Sequence, residues 1–377
     1  MSVTAALPQI ETIDVFEVRV PRRERNRITT SYATLPDAHH ALVRVSCDGL
    51  VGIGEAPAEL WWTGEDATSV RNAIERYLAP ALIGVRAGIR DCVRRMDAAL
   101  AGNPYAKAAV EMALWDILGK AAGLPLCALL GGSPGGALPI KYVIGMTEPS
   151  RARDEAVYAG ELGFTYLKVK VGGDLRRDLE RLESVAEVLE GESRFGVDAN
   201  GGWSLQTALT ALRPLEQLGV AFLEQPVSSA FPDAMAELTA RSSIPVVAHE
   251  SVFTLRDGFQ AATGRWAHIW ALTPSTHGGL VRTLDLLGVA RAAGIPCLLG
   301  STVELGVATA FLTHIGVSFD VISASPIPSD VIGPLYHETD VVVESPTIEG
   351  GTVRVPDGPG LGVELDERSL SVFRADE

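Results

Sequence analysis

From about residue 140 onward the chain alternates between short apolar runs and longer stretches whose apolar residues are spaced for one helix face. Apolar runs over 140–144, 164–171, 195–197, 220–223, 245–248, 268–272 and 296–299 read as strands, with 319–323 as the last. Between them, 150–162, 174–189, 205–218, 233–241, 255–262, 280–293 and 305–315 carry helical spacing. That makes about eight strands and about seven helices, with the eighth helix weak or displaced. Such alternation predicts a parallel sheet with helical crossovers. The count favours a closed barrel over an open sheet.

Residues 1–133 follow a different rhythm. Residues 10–20 alternate as a strand does, and 21–27 form a charged loop, Pro-Arg-Arg-Glu-Arg-Asn-Arg. Strand patterns at 41–47 and 51–55 bracket Asp48-Gly49, a strong hairpin signal. Helical spacing follows at 67–82, with Pro80 as its end, and at 106–122, ended by Gly123-Leu124-Pro125. This is an α+β unit of antiparallel strands and helices. After Gly131-Gly132 the barrel unit occupies 134–335, and strand and turn signals return over 336–377, a tail expected to pack back on the N-terminal unit.

The chemistry lies at the strand ends. Lys170, Asp198, Glu224 and His249 follow one another at steps of about 28, 26 and 25 residues, roughly one strand plus one helix each. In a parallel barrel these ends share one mouth, where catalysis takes place. Lys168 and Lys170 are two apart on a strand and so point to one face. Two ammonium groups there are expected to lower each other's pKa and to help one serve as a base near neutral pH. Asp198 and Glu224 suit a hard divalent cation. His249-Glu250 adds an imidazole and a carboxylate side by side. A His249 ligand suits Mn, Fe, Co or Zn better than Mg, while Glu250 is the fallback ligand or an outer acceptor that orients Lys170. Glu304 and Asp330 follow the last two strands, each as an acid, a substrate acceptor or a helix cap. Arg22, Arg23, Arg25 and Arg27 form a solvated charge run or close over a substrate carboxylate. Trp61-Trp62 line a pocket wall or pack in the core.

Composition narrows the partners. The 377 residues are 47% hydrophobic and 21% charged, with a formal net charge of −15, a globular composition in which nucleic acid is not expected as a partner. A small anionic substrate remains compatible, because a metal and lysines make one pocket locally positive. No apolar run reaches the roughly 18 residues of a membrane span, and no basic-then-apolar leader is visible. Cys47, Cys92, Cys127 and Cys297 are scattered without a CxxC pair, as expected of a reduced, cytoplasmic location. Nucleotide, dinucleotide and zinc-protease signatures are missing.

These residues resemble the enolase superfamily, and within it the muconate-lactonizing and mandelate racemase group, over nearly the whole chain. Lys168-Val169-Lys170 is similar to the family's KxK, Asp198-Ala199-Asn200 to its DxN, Glu224-Gln225-Pro226 to its EQP, Gly278-Gly279-Leu280 to its glycine-containing loop, and Pro359-Gly360-Leu361-Gly362 to its PGLG. The stretches 103–107, 114–120 and 129–132 look like the exit of its capping domain. The resemblance implies an α/β fold, a modified (β/α)7β TIM barrel under an N-terminal α+β capping domain. It implies a divalent metal, Mg2+ first and Mn2+ or another transition metal because of His249, held by Asp198, Glu224 and His249, with Glu250 as fallback. It also implies abstraction of the proton α to a small carboxylate through a metal-stabilised enediolate, a mechanism class the superfamily is known for. Lys170 is then the general acid/base, Lys168 its partner, and Thr273, Glu304 and Asp330 the substrate-binding residues. A homo-oligomer, dimer or octamer, is the implied assembly.

Two positions depart from that pattern. His249 stands where the family has Asp, and Thr273 stands where it has a lysine at the end of the sixth barrel strand. Without a base on each face of the α-carbon, epimerisation is disfavoured, while cycloisomerisation and syn elimination of water persist as options. His277 is a candidate substitute for the missing base. The expected function is a metal-dependent cycloisomerase or lyase of muconate cycloisomerase type. The alternatives are a dehydratase, a lyase like o-succinylbenzoate synthase, or an impaired homologue that only binds a ligand.

Overall fold

The computed structural model describes residues 7–189 and 191–375, so the outermost ends of the expected 1–133 and 336–377 units lie outside the described residues. The N-terminal unit is built on a three-stranded antiparallel sheet, with Asp37–Cys47 between Ile10–Pro21 and Leu50–Ala56. Asp48 and Gly49 turn its hairpin with φ of 44° and 80°, the positive values that an Asp-Gly turn supplies. The long helix Pro104–Ala122 lies across this sheet. A Cβ at Gly54 would stand 2.0 Å from the carbonyl oxygen of Ala109, so only a glycine allows helix and strand this close.

One local expectation changes here, and one helix is added. The helix from Ala67 continues past Pro80 to Leu82. A single π turn over Ile74–Leu78 lets Ala79 N–H reach Ile74 O, and this widened turn precedes the proline that lacks an N–H. A helix over Ile89–Ala99 also buries Ile89, Cys92, Val93 and Met96, a stripe that went unread in the sequence.

The barrel strands are Tyr142–Ile144, Tyr166–Lys170, Arg194–Asp198, Leu223–Glu224, Val246–Ala248, Ile269–Leu272 and Cys297–Leu299, all parallel and in sequential order. They are buried along their length apart from the outer ends of two strands, at Tyr166 and Arg194, as parallel strands between helices are. The expected last strand at 319–323 is instead a short helix, Asp320–Ser323. A five-residue apolar run does not separate a strand from a buried helical turn, and here Phe319 and Ile322 share one packed face three residues apart. The eighth place is taken by the segment around Ser329. Its N–H donates to Pro139 O, its carbonyl accepts from Lys141 N–H, and Asp330 N–H donates to Leu299 O. These bonds close the ring between the first and seventh strands.

The tail does return to the N-terminal unit. Helix Glu367–Phe373 buries Leu370 with Val18, Val20, Leu42 and Val341, while Thr352–Arg354 pairs with Ala137–Pro139. Asp116 ties three regions together, accepting from Ile53 N–H at 3.1 Å, Leu361 N–H at 2.8 Å and Lys120 Nζ at 2.6 Å. Among the described residues no helix is long and apolar enough to cross a membrane. The four cysteines are free and buried.

Candidate active site

Parallel register sets Lys170 opposite Asp198 and Asp198 opposite Glu224 on neighbouring strands. One row of the barrel mouth therefore carries an ammonium and two carboxylates. Lys170 Nζ donates to Asp198 Oδ2 at 2.6 Å and to Asn200 Oδ1 at 2.8 Å. Lys168 Nζ donates to Glu224 Oε1 at 3.0 Å and Asp330 Oδ2 at 2.8 Å, and lies 3.3 Å from Asp198 Oδ2. Asn200 Nδ2 donates to Glu250 Oε1 at 2.9 Å, so Glu250 bears on Lys170 through Asn200. The turns just after the carboxylates hold Asn200 at φ 44° and Gln225 at φ 34°. Such left-handed non-glycine residues gather where a surrounding structure imposes function.

Lys168 is not lowered as expected. Burial opposes the Lys168 ammonium, but Asp330, Glu224 and Asp198 outweigh it and hold its pKa well above the ordinary lysine value. Asp198 is likewise held below the usual carboxylate range, because the attraction of Lys170 and Lys168 exceeds the cost of burial. Three carboxylates at about 3 Å from the Lys168 ammonium, with Asp198 shared between it and Lys170, outweigh its burial.

A third buried ammonium went unread in the sequence. Lys141 is fully buried, lies 3.0 Å from Asp330 Oδ1 and donates to Pro328 O at 2.5 Å. Asp330 thus joins Lys141 to Lys168, and its pKa is lowered by both against the effect of burial. The signal was a lone charge inside the apolar run 140–144. Glu304 is also buried, accepting from Thr302 N–H at 2.9 Å and from the Ser301 hydroxyl. It caps its own turn, next to Val303 at φ 62°, a strained value for a β-branched residue.

The two departures touch. His249 Nε2 and Thr273 Oγ1 are 2.9 Å apart, and a Cβ on Gly300 would stand 2.6 Å from that hydroxyl and 2.7 Å from that nitrogen. Imidazole and hydroxyl therefore form one unit packed against a bare backbone. His277 stands behind it and is not a free base. Its Nε2 accepts from Thr273 N–H at 3.1 Å, its Nδ1 donates to Phe253 O at 3.0 Å, and burial pushes its pKa down to about 3.

Beside these groups, buried Glu224 Oε2, His249 Nδ1 and Glu250 Oε2 have no hydrogen-bond partner among the described residues. His249 Nδ1 lies 3.4 Å from Glu224 Oε1 and 3.8 Å from Glu250 Oε2. Burial works against a charged His249, yet Glu224 and Glu250 raise its pKa. Because Asp198 and Glu224 turn toward lysines, no ready-made cluster of three ligands is present among the described residues. The unsatisfied atoms are nonetheless electron-pair donors on adjacent strand ends, a mixed oxygen and nitrogen set that suits a divalent cation.

Above the lysines a small cavity of about 50 Å³ is lined by Lys168, Lys170 and Asp330 on one side and by Arg22, Glu59 and Trp62 on another. Among the arginines of 22–27 only Arg22 lines it. A neighbouring cavity of about 290 Å³ reaches Asn200 and Glu250, and the two share Tyr32 and Trp62. Trp62 packs edge-on to His249, with ring centroids 4.8 Å apart, whereas Trp61 is exposed.

Comparison with known proteins agrees with this geometry. Residues 12–131 match the mandelate racemase/muconate lactonizing enzyme N-terminal domain, and residues 151–369 the enolase C-terminal domain-like family. A chloromuconate cycloisomerase from Cupriavidus necator is 32% identical over 363 residues, 95% of this chain and 97% of that protein. An L-Ala-D/L-Glu epimerase from Bacillus subtilis is 34% identical over 360 residues, 94% of this chain and 96% of that protein. The crystal structure of a muconate lactonizing enzyme from Pseudomonas fluorescens, complexed with muconolactone, superposes with a TM-score of 0.93 at 31% identity, covering 98% of this chain and all of that one.

Proposed function

This chain belongs to the mandelate racemase/muconate lactonizing enzyme family of the enolase superfamily, and on that premise we propose that it moves the proton α to a small carboxylate on one face only. Its relatives include cycloisomerases, epimerases and racemases, so the chain is an enzyme of an isomerase family. Membership implies a divalent metal.

The observation that carries the one-face reading is the contrast across the barrel. Lys170 reaches the cavity from the second strand. Thr273, after the sixth strand, is buried and bonded to His249. Lys170 takes or returns the α proton. Asp198 and Asn200 aim its Nζ, and Glu250 fixes Asn200. Lys168, held by Asp330 and Glu224, stays charged and faces the substrate carboxylate, where negative charge grows as the proton leaves. Asp198, Glu224 and His249, with Glu250 in reserve, would hold a divalent ion, which when bound would add positive charge beside that carboxylate. A lactone as product identifies cycloisomerisation, and loss of water identifies elimination.

The test is incubation with a divalent metal and a panel of small carboxylates in deuterium oxide, followed by NMR and chiral analysis. The α proton of at least one chiral acid exchanges with retention of configuration. Racemisation of the exchanged acid overturns the one-face reading. The metal has its own test, calorimetric titration. His249 should favour Mn2+ over Mg2+ by at least about tenfold, and His249→Asp should narrow that ratio. A wild-type site with equal or greater affinity for Mg2+ excludes the imidazole as a ligand.

A further inference from the structure

Proton transfer as described leaves one wall of the cavity unused. Glu59 lies between strand Leu50–Ala56 and helix Leu60–Thr63 and lines the cavity with Lys168, Lys170 and Arg22. Its carboxylate makes no hydrogen bond or ion pair among the described residues, and burial pushes its pKa up to about 7 against the pull of Arg22 and Lys170. Arg22 does not close on it. The guanidinium is buried with Nε and Nη1 unpartnered, and its field is shared by Glu59, Asp37 and Glu304. Beside Glu59 the cavity presents two aromatic side chains, Tyr32 and Trp62, the latter held in place by His249 and Phe253. A carboxylate next to aromatic rings is the chemistry that attracts a positively charged nitrogen.

The charges of the lining are arranged to match. Arg22, Lys168 and Lys170 face the cavity together with Glu59 and Asp330, and Asp330 is already bonded to Lys168. A substrate carboxylate therefore meets the lysines, while Glu59 is the carboxylate left for a positive group.

We propose that Glu59, Tyr32 and Trp62 form a receptor for an ammonium group, so that the substrate is a zwitterionic amino acid whose carboxylate faces Lys168 and Lys170. This rests on the proton-transfer reading of the same site and adds the substrate class. The receptor is a binding element and holds the nitrogen while Lys170 acts on the neighbouring carbon.

The test uses the full chain with Mn2+ and three sets of probes: free α-amino acids, their N-acetyl derivatives, and cis,cis-muconate. Binding is read by calorimetry and α-proton exchange by NMR in deuterium oxide. At least one free amino acid should bind at least tenfold tighter than its N-acetyl derivative and than muconate. Glu59→Gln should bring the free to N-acetyl ratio close to one, a ratio that partial unfolding does not alter. The receptor is overturned if N-acetyl acids or muconate bind best, if no free amino acid binds at millimolar concentration, or if Glu59→Gln leaves the ratio unchanged. Exchange of N-acetyl acids or dicarboxylates without exchange of free amino acids also removes the receptor and keeps proton transfer. Ammonium-dependent binding without any exchange does the reverse.

Discussion

Lys170→Ala should lower α-proton exchange by a factor on the order of 10² to 10⁴, the range that a positioned general acid/base contributes, while the protein stays folded. The first half of the expectation follows from placement. Lys170 is one of two amines lining the cavity, and Asp198, Asn200 and, through Asn200, Glu250 determine where its Nζ points. The second half follows from what remains. Asp198 keeps Lys168 at 3.3 Å and accepts from Asn200 N–H at 2.9 Å, so no buried charge is abandoned. Exchange is followed by NMR and the fold by circular dichroism. A folded variant with near wild-type exchange would exclude Lys170 from the chemistry.

Asp330→Ala should have the larger effect on stability, about 3–5 kcal/mol, because it leaves buried ammonium groups without their main partner. Lys141 is fully buried with one carboxylate within reach, and Lys168 loses its shortest contact. Lys141→Met should cost less, since Asp330 still accepts from Lys168 at 2.8 Å. Lys141→Met combined with Asp330→Ala should recover part of the loss, because Lys168 keeps Glu224 and Asp198. Denaturant unfolding of the three variants measures this order. If Asp330→Ala proved as stable as wild type, the lysine and carboxylate chain from Lys141 to Glu224 would not be a structural requirement.

The same chain of charges shows where reading along the sequence succeeds. Lys168, Lys170, Asp198 and Glu224 were legible because each ends an apolar run and the runs recur at the length of one strand plus one helix. Parallel pairing then sets them side by side. Lys141 was not legible as a site residue, since a charge inside a strand means little until its partner is known, and that partner lies 189 residues away in Asp330. Glu59 and Arg22 come from the N-terminal unit, and only the docking of that unit brings them over the barrel mouth. The last strand was misplaced because an apolar run of five residues packs equally well as a helical turn, and the closing bonds came from Ser329 instead.

His249 and Thr273 mark the boundary between the two kinds of knowledge. The sequence alone determined the alternating strands and helices of the barrel up to its seventh strand and the row of charged side chains at their ends, because periodicity and spacing are local properties that backbone pairing turns directly into position. Only the tertiary structure decided that these two residues share a hydrogen bond over Gly300, that His277 is locked behind them, and that Lys168 is raised rather than lowered. Each of those outcomes depends on distances between side chains from different strands, and in a buried site a change of a few ångströms reverses the sign of the electrostatic effect.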